Sequence, residues 1–210
     1  MAVYPDRPLQ LEPGCDRCPA LVDCRERIVW GAGSRYASII VIGEAPGYGE
    51  PDADHWRGGN WTGIAYTTRH SGRRIRTLFA DLGYADEVFF TNAVKCFPAD
   101  PDDPTTNREP TAAERDRCMA HLDAEFDLIA PTVAVPTGKH ATATLLEADG
   151  KTLDGFLERV LEPFQCDTFD VAVVPILHPS YQDVWLTRLG YTSETYTAAI
   201  GAALAGALAT

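Results

Sequence analysis

Cys15 and Cys18 form a C-x2-C pair near the N-terminus, and Cys96 and Cys118 follow singly, far along the chain. One close pair and two distant thiols can close around a single centre. Four sulfurs suit either tetrahedral zinc or an iron–sulfur cluster, and spacing alone does not choose between them. Disulfides are disfavoured in an intracellular chain, so clustered cysteines read as ligands; Cys24 and Cys166 read as packing residues. Such a centre would act as a staple: it would tie an N-terminal segment lacking its own core to a loop and a helix, and ligation would contribute folding free energy. A second constellation is polar. Glu44, Asn92 and His178 each stand at the end of an apolar run, in VIGEAPG, FTNAV and ILHPS.

Those runs must be the elements that position them. Residues 38–43, 88–94, 132–137 and 171–177 are nearly continuous in apolar or β-branched residues, the pattern of a parallel sheet covered on both faces. Helical spacing lies between them. Ile75, Leu78, Phe79 and Leu82 share one face, with Ser71 as N-cap and Gly83 as stop. Thr111 and Glu114 make a capping box ahead of Cys118, Leu122, Phe126 and Ile129. A shorter helix is expected over 139–147 and an Ala-rich one over 193–208. The alternation predicts one doubly wound α/β domain over residues 1–210, with a central four-stranded parallel sheet flanked by helices. Ligands of such sheets sit beyond the carboxyl ends of the strands, where the three polar groups fall. Two long irregular stretches remain, 47–72 and 97–110; the first, rich in Gly and aromatics, reads as a pocket wall.

Composition narrows the class. The chain carries 30 acidic and 18 basic residues, a net charge of −12, and its only lysines are Lys95, Lys139 and Lys151. An acidic, Lys-poor surface argues against a general polyanion binder and fits a high-salt cytoplasm, where screening lengths are short. No apolar run approaches a membrane span, and MAVYPDRPLQ lacks the core of a signal peptide, so a cytoplasmic protein with no membrane partner is expected. A Rossmann-type nucleotide binder is disfavoured, because no G-x-G-x-x-G follows the first strand.

Five stretches in order, CDRCPAL, GEAPG, TNAVKC, NREPTAAERDRC and HPSY, make the chain resemble the uracil-DNA glycosylase superfamily, closest to its family 4, the iron–sulfur enzymes. The resemblance covers about residues 13–185. It implies a uracil-DNA glycosylase-like fold, a [4Fe–4S] cluster on Cys15, Cys18, Cys96 and Cys118, and hydrolytic removal of uracil from deaminated DNA by base flipping. Glu44 and Glu50 resemble the family's two acids, either of which could orient water or stabilise the sugar cation. Gly43 and Gly47 would let the backbone approach the base. Asn92 fits the base reader, since a carboxamide pairs with O4 and N3–H of uracil. His178 fits the electrophile near O2. Ser180 would contact a phosphate, with Tyr181 or Gln182 near the gap left by the flipped base.

The pocket floor departs from family 4, which usually carries Gly-x-Pro-Phe-Val-Gly where this chain has GGNWTGIAYTTRHSG. Tyr66 is the expected stacking residue and Trp61 its rival. The departure opens a broader deaminated-base specificity as an alternative, beside a non-catalytic lesion-binding role. Arg69, Arg73, Arg74 and Arg76 are expected to form a strip gripping DNA phosphates. Lys95 is expected to face DNA or brace its loop. A monomer is expected.

Overall fold

The computed structural model describes residues 2–209. Its strands are β1 (Ala32–Gly33), β2 (Ile39–Gly43), β3 (Val88–Asn92), β4 (Val133–Pro136), β5 (Phe164–Cys166) and β6 (Val171–Val173). They form one six-stranded sheet in the order β1-β3-β2-β4-β6-β5. The inner four, β3, β2, β4 and β6, run parallel, as expected; β1 and β5 are antiparallel additions at the two edges. The edges escape hydrophobic patterning because they are two and three residues long and mostly unburied. β6 is shorter than its apolar run: Val174 and Ile176 still donate to Ala134 and Pro136, but Pro136 of β4 has no N–H to give back to the ladder. Pairing resumes as a single bridge between Thr137 and Ile176.

Every residue of β2 is buried, and the strand's period of two splits them between two cores. Ile39 and Val41 pack with Ile75, Phe79, Tyr196, Ile200 and Leu204, so this face is covered by α3 (Ser71–Asp81) and α7 (Ser193–Leu208). Ile40 and Ile42 pack with Leu122, Phe126, Ala141 and Leu145, so the other is covered by α4 (Ala112–Ile129) and α5 (Lys139–Ala148). The capping box of α4 is present: Thr111 Oγ1 accepts from the Glu114 N–H, and Glu114 Oε2 from the Thr111 N–H. Ser71 is the first residue of α3 rather than its cap; the Thr68 hydroxyl instead accepts from the Gly72 N–H at 2.7 Å. Three short helices complete the fold, α1 (Pro19–Val22), α2 (Gly59–Thr62) and α6 (Gln182–Trp185). Among the described residues, no helix is long and apolar enough to cross a membrane.

The chain passes from β2 to β3 on one side and then returns across β2 to β4, so the winding reverses at β2. Such a reversal opens a crevice at the strands' carboxyl ends. In register, Gly43 lies opposite Asn92, and Thr137 opposite Ile176, two residues before His178.

Candidate active site

A cavity of about 780 Å³ opens at this edge, lined by Gly43, Glu44, Tyr66, Asn92, His178 and Ser180 among others. Three of these meet at a point. A Cβ on Gly43 would collide with Asn92 Oδ1 and come within 2.9 Å of Tyr66 Oη. The absent side chain is what lets amide and phenol stand so close. Gly43→Ala is therefore expected to displace Asn92 or Tyr66, lowering activity at least tenfold while costing only about 1–3 kcal/mol of stability. Paired rate and denaturation measurements check this split.

Asn92 ends β3 and is 5% exposed, and among the described residues its carboxamide makes no hydrogen bond. An amide open to the cavity and without a protein partner among the described residues is poised for a ligand that supplies donor and acceptor. Tyr66 comes from the long 47–72 stretch, in left-handed backbone with φ 54°. That conformation costs a bulky residue roughly 1–2 kcal/mol and is held from outside: Arg76 donates to the carbonyls of Tyr66 (2.9 Å) and Ala65 (2.8 Å). The Tyr66 hydroxyl bonds Thr137 Oγ1 at 2.6 Å, its ring meets Phe90 edge-on, and burial pushes its pKa up. Trp61, the rival floor, is not among the cavity's lining residues and packs against Tyr48 instead.

His178 follows β6 in a tight turn whose Ser180 N–H donates to His178 Nδ1 at 3.2 Å. An Nδ1 that accepts leaves the ring proton on Nε2, which makes the imidazole a donor. Burial lowers the His178 pKa, so the neutral form persists to lower pH. Gly138, at φ +91°, packs under this histidine; a Cβ there would stand 3.0 Å from His178 Cβ.

Glu44 is half-buried, and its backbone carbonyl accepts from Val94, extending the β2–β3 ladder into the site. Burial raises its pKa; His140 pulls it down, Glu109 pushes it up, and Arg115 pulls it down. Glu109 and His140 share the cavity wall and pair at 3.0 Å. Neither was apparent from the sequence, because they meet only when the 97–110 stretch folds back. An Ala99–Asn107 bridge closes that stretch and delivers Asn107 to the cavity as well. Its neighbour Arg108 is spent on a bidentate pair with Glu114.

Glu50 corrects an expectation. It does not line the cavity; it is exposed, 3.7 Å from Arg69, after Gly49 at φ +85° has turned the chain against the Arg57 carbonyl. Of the expected arginine strip, Arg69 stays exposed and Arg73 partly so, while Arg74 and Arg76 are taken up by other partners. Arg76 is turned inward over the Phe90 ring, and burial brings its pKa down to about 10. Arg74 forms a bidentate pair with Asp183 and bonds the Pro179 carbonyl, bracing the turn that carries His178. Arg73 lies near Asp54 and over Trp56. Helical proximity in sequence did not reveal these partners, which come from other segments.

The four cysteines are all buried, and three of them, Cys18, Cys96 and Cys118, share a small core with Leu21 and Val94. Arg25 donates to the Cys96 sulfur at 3.1 Å, and His121 Nε2 lies 3.4 Å from the Cys15 sulfur. Burial still raises the pKa of Cys18 and Cys118 and pushes Cys96 up to about 11. A cation is needed to hold such thiols ionised. His121 and Glu12 crowd Cys15, the three ligand atoms lying within 4.8 Å of one another. The helical spacing of His121 from Cys118, three residues, is the signal that places both on one face. Cys24 and Cys166 pack as expected, bonding backbone carbonyls.

A doubly wound sheet thus gathers an acid, an amide and an imidazole around one cavity at its switch point. The family described as Uracil DNA glycosylase superfamily matches residues 30–200, and the chain belongs to it. It is similar to the Type-4 uracil-DNA glycosylase of Thermotoga maritima, 30% identical over 172 residues, 80% of this chain and 77% of that protein. It is also similar to the Type-4 uracil-DNA glycosylases of Sulfurisphaera tokodaii (29%, covering 79% and 70%) and Archaeoglobus fulgidus (28%, covering 79% and 76%).

Proposed function

We propose that this protein is a DNA glycosylase that hydrolyses the N-glycosidic bond of uracil in DNA, taking the base extrahelical into the 780 Å³ cavity. The observation that carries the reading is the meeting of Asn92, Tyr66 and Gly43, with Glu44 and His178 lining the same cavity. Asn92 offers its free amide to O4 and N3–H of the base. Tyr66 and the bare Gly43 backbone shape the floor. As the C1′–N1 bond breaks, positive charge grows on the sugar and negative charge on uracil. The His178 Nε2–H stabilises the departing oxyanion at O2. Glu44 stabilises the sugar cation and orients a water whose oxygen joins C1′; the water's proton leaves through the carboxylate, and uracil takes a proton as it departs. Glu50, outside the cavity, is left without a part in these steps. Ser180, exposed at the rim, is placed to meet a phosphate.

The cysteine site suits a [4Fe–4S] cluster better than zinc. A zinc tetrahedron with bonds of about 2.3 Å draws its sulfurs to roughly 3.8 Å of one another. Among the described residues, no three of these four sulfurs lie within 4.8 Å. Cys15, Cys18, Cys96 and Cys118 would hold the cluster, which supplies a structural cross-link rather than a step of hydrolysis. The protein is expected to act as a monomer in a high-salt cytoplasm, where screening shortens the reach of its own acidic surface.

The test is excision from oligonucleotides carrying a single uracil, across a salt series, with a hypoxanthine substrate alongside. Release of free uracil, with brown colour and bound iron in the purified protein, is expected. An intact oligonucleotide at every salt concentration overturns the reading.

The site also sets a pH dependence. The active form needs Glu44 ionised and His178 neutral. Burial raises the first pKa and lowers the second. Single-turnover rates should therefore fall as pH drops through the raised Glu44 pKa, above the ordinary carboxylate value of about 4.3. His178, with its lowered pKa, should add no loss near neutrality. A Glu44→Gln variant should lack that limb. An acid limb surviving unchanged in Glu44→Gln would assign it to another group.

A further inference from the structure

We infer that Lys95 is a positioning residue: its buried ammonium holds the Asn92 backbone in place at the cavity and locks it to the helix that carries Cys118. The inference rests on the base-reading role proposed for Asn92 and deepens it.

Lys95 is 1% exposed and does not line the cavity, so it faces neither DNA nor substrate. An ammonium has three protons, and all three are used. Nζ donates to Thr91 Oγ1 at 2.8 Å, to the Asn92 carbonyl at 2.6 Å and to Glu125 Oε2 at 2.7 Å. The Thr91 hydroxyl in turn donates to the Glu125 carboxylate, 2.8 Å from Oε2. Glu125 is fully buried. A buried charge pair is costly unless every lone pair and proton is matched, and here the match closes on a backbone carbonyl of the pocket.

The location gives this network its consequence. Asn92 is the last residue of β3, where ladder geometry stops fixing the chain. The Lys95 bond to its carbonyl continues that restraint past the strand end, on the residue whose amide must meet the base. The other end of the network is α4, where Cys118, His121, Leu122 and Glu125 fall at i, i+3, i+4 and i+7 on one buried face. The Lys95 backbone is held too: its carbonyl accepts from the Val29 N–H at 2.6 Å, and the next residue is Cys96. One residue thus connects the cysteine site to the base-reading amide.

The experiment compares the double variant Lys95→Met/Glu125→Leu with Asn92→Ala, using the full-length protein with its bound iron. The double variant removes both charges together and keeps the buried volume. Single-turnover excision at saturating enzyme, half-saturating enzyme concentration, discrimination of uracil from cytosine, melting temperature and visible absorption are measured. The expected result is a rate at least tenfold lower and weakened discrimination, consistent with the cost of slight misplacement. Half-saturation should stay within about twofold, with melting and absorption retained. A double variant with wild-type rate and discrimination, beside an inactive Asn92→Ala, overturns the positioning role and leaves the function intact. Full activity in Asn92→Ala overturns the base-reading role itself, and the positioning role with it. If the double variant fails to fold, Thr91→Val replaces it, deleting one brace of the ammonium and sparing the charge pair. A loss of about threefold with weakened discrimination supports the role, and wild-type behaviour overturns it.

Discussion

Glu44→Gln is expected to slow uracil excision by about 10²- to 10⁴-fold, the range for a group that handles proton and charge at the reacting centre. His178→Ala is expected to cost about 10²- to 10³-fold, the range for loss of a donor aimed at a developing oxyanion. Gln keeps the shape and hydrogen bonds of Glu44 and removes only its charge, so a large loss isolates electrostatics. The surroundings favour a large effect, since Glu44 is half-buried and Glu109 stands near it, so bulk water does not screen its charge fully. His178→Ala removes the ring that packs over Gly138 and the acceptor of the Ser180 N–H, so the turn itself can loosen. His178→Gln retains a donor, and partial recovery there would assign the loss to hydrogen bonding rather than to the turn. Single-turnover kinetics are the measurement, because product release can mask the bond-breaking step. Excision within tenfold of wild type in Glu44→Gln would remove that residue from the chemistry.

The two residues act on opposite ends of one breaking bond. Their double variant is expected to fall short of the product of the single losses, as in other sites that work as a unit. A multiplicative result would mean that sugar and base stabilisation are independent.

The parallel strands and the four long helices were legible because hydrophobic burial writes its period into the chain. β2, IIVIG, is buried on both faces and needs no partner to be recognised. Its polar terminus was legible for the same reason: a carboxylate after such a strand has nowhere to go but the carboxyl edge. Glu50 was misplaced because its position depends on the left-handed turn at Gly49 and on the Arg57 carbonyl, neither of which leaves a periodic trace. Arg74 and Arg76 looked like a surface strip because helical spacing reports faces, not partners; Asp183 lies 109 residues from Arg74, and the Tyr66 carbonyl belongs to the irregular stretch before the helix. The Glu109–His140 pair was invisible for that reason too. Lys95 was the hardest, since a lysine is almost never fully buried unless paired and its partner Glu125 lies thirty residues on.

That burial makes the single variant Lys95→Met the most damaging substitution to stability expected here. Removing the ammonium leaves the Glu125 carboxylate at 0% exposure, with the Thr91 hydroxyl as its one remaining side-chain donor. Breaking one side of a buried pair costs about 3–5 kcal/mol, a large part of the 5–15 kcal/mol that holds a typical domain together. The cost is the stranded charge rather than the lost attraction. Adding Glu125→Leu should therefore restore most of it, although two further interactions disappear. Denaturant unfolding of wild type, single and double variants at equal slope separates the cases. A single variant as stable as wild type would mean that the carboxylate finds water, and a double variant no better than the single would mean that the bonds themselves, not the unpaired charge, hold α4 against β3.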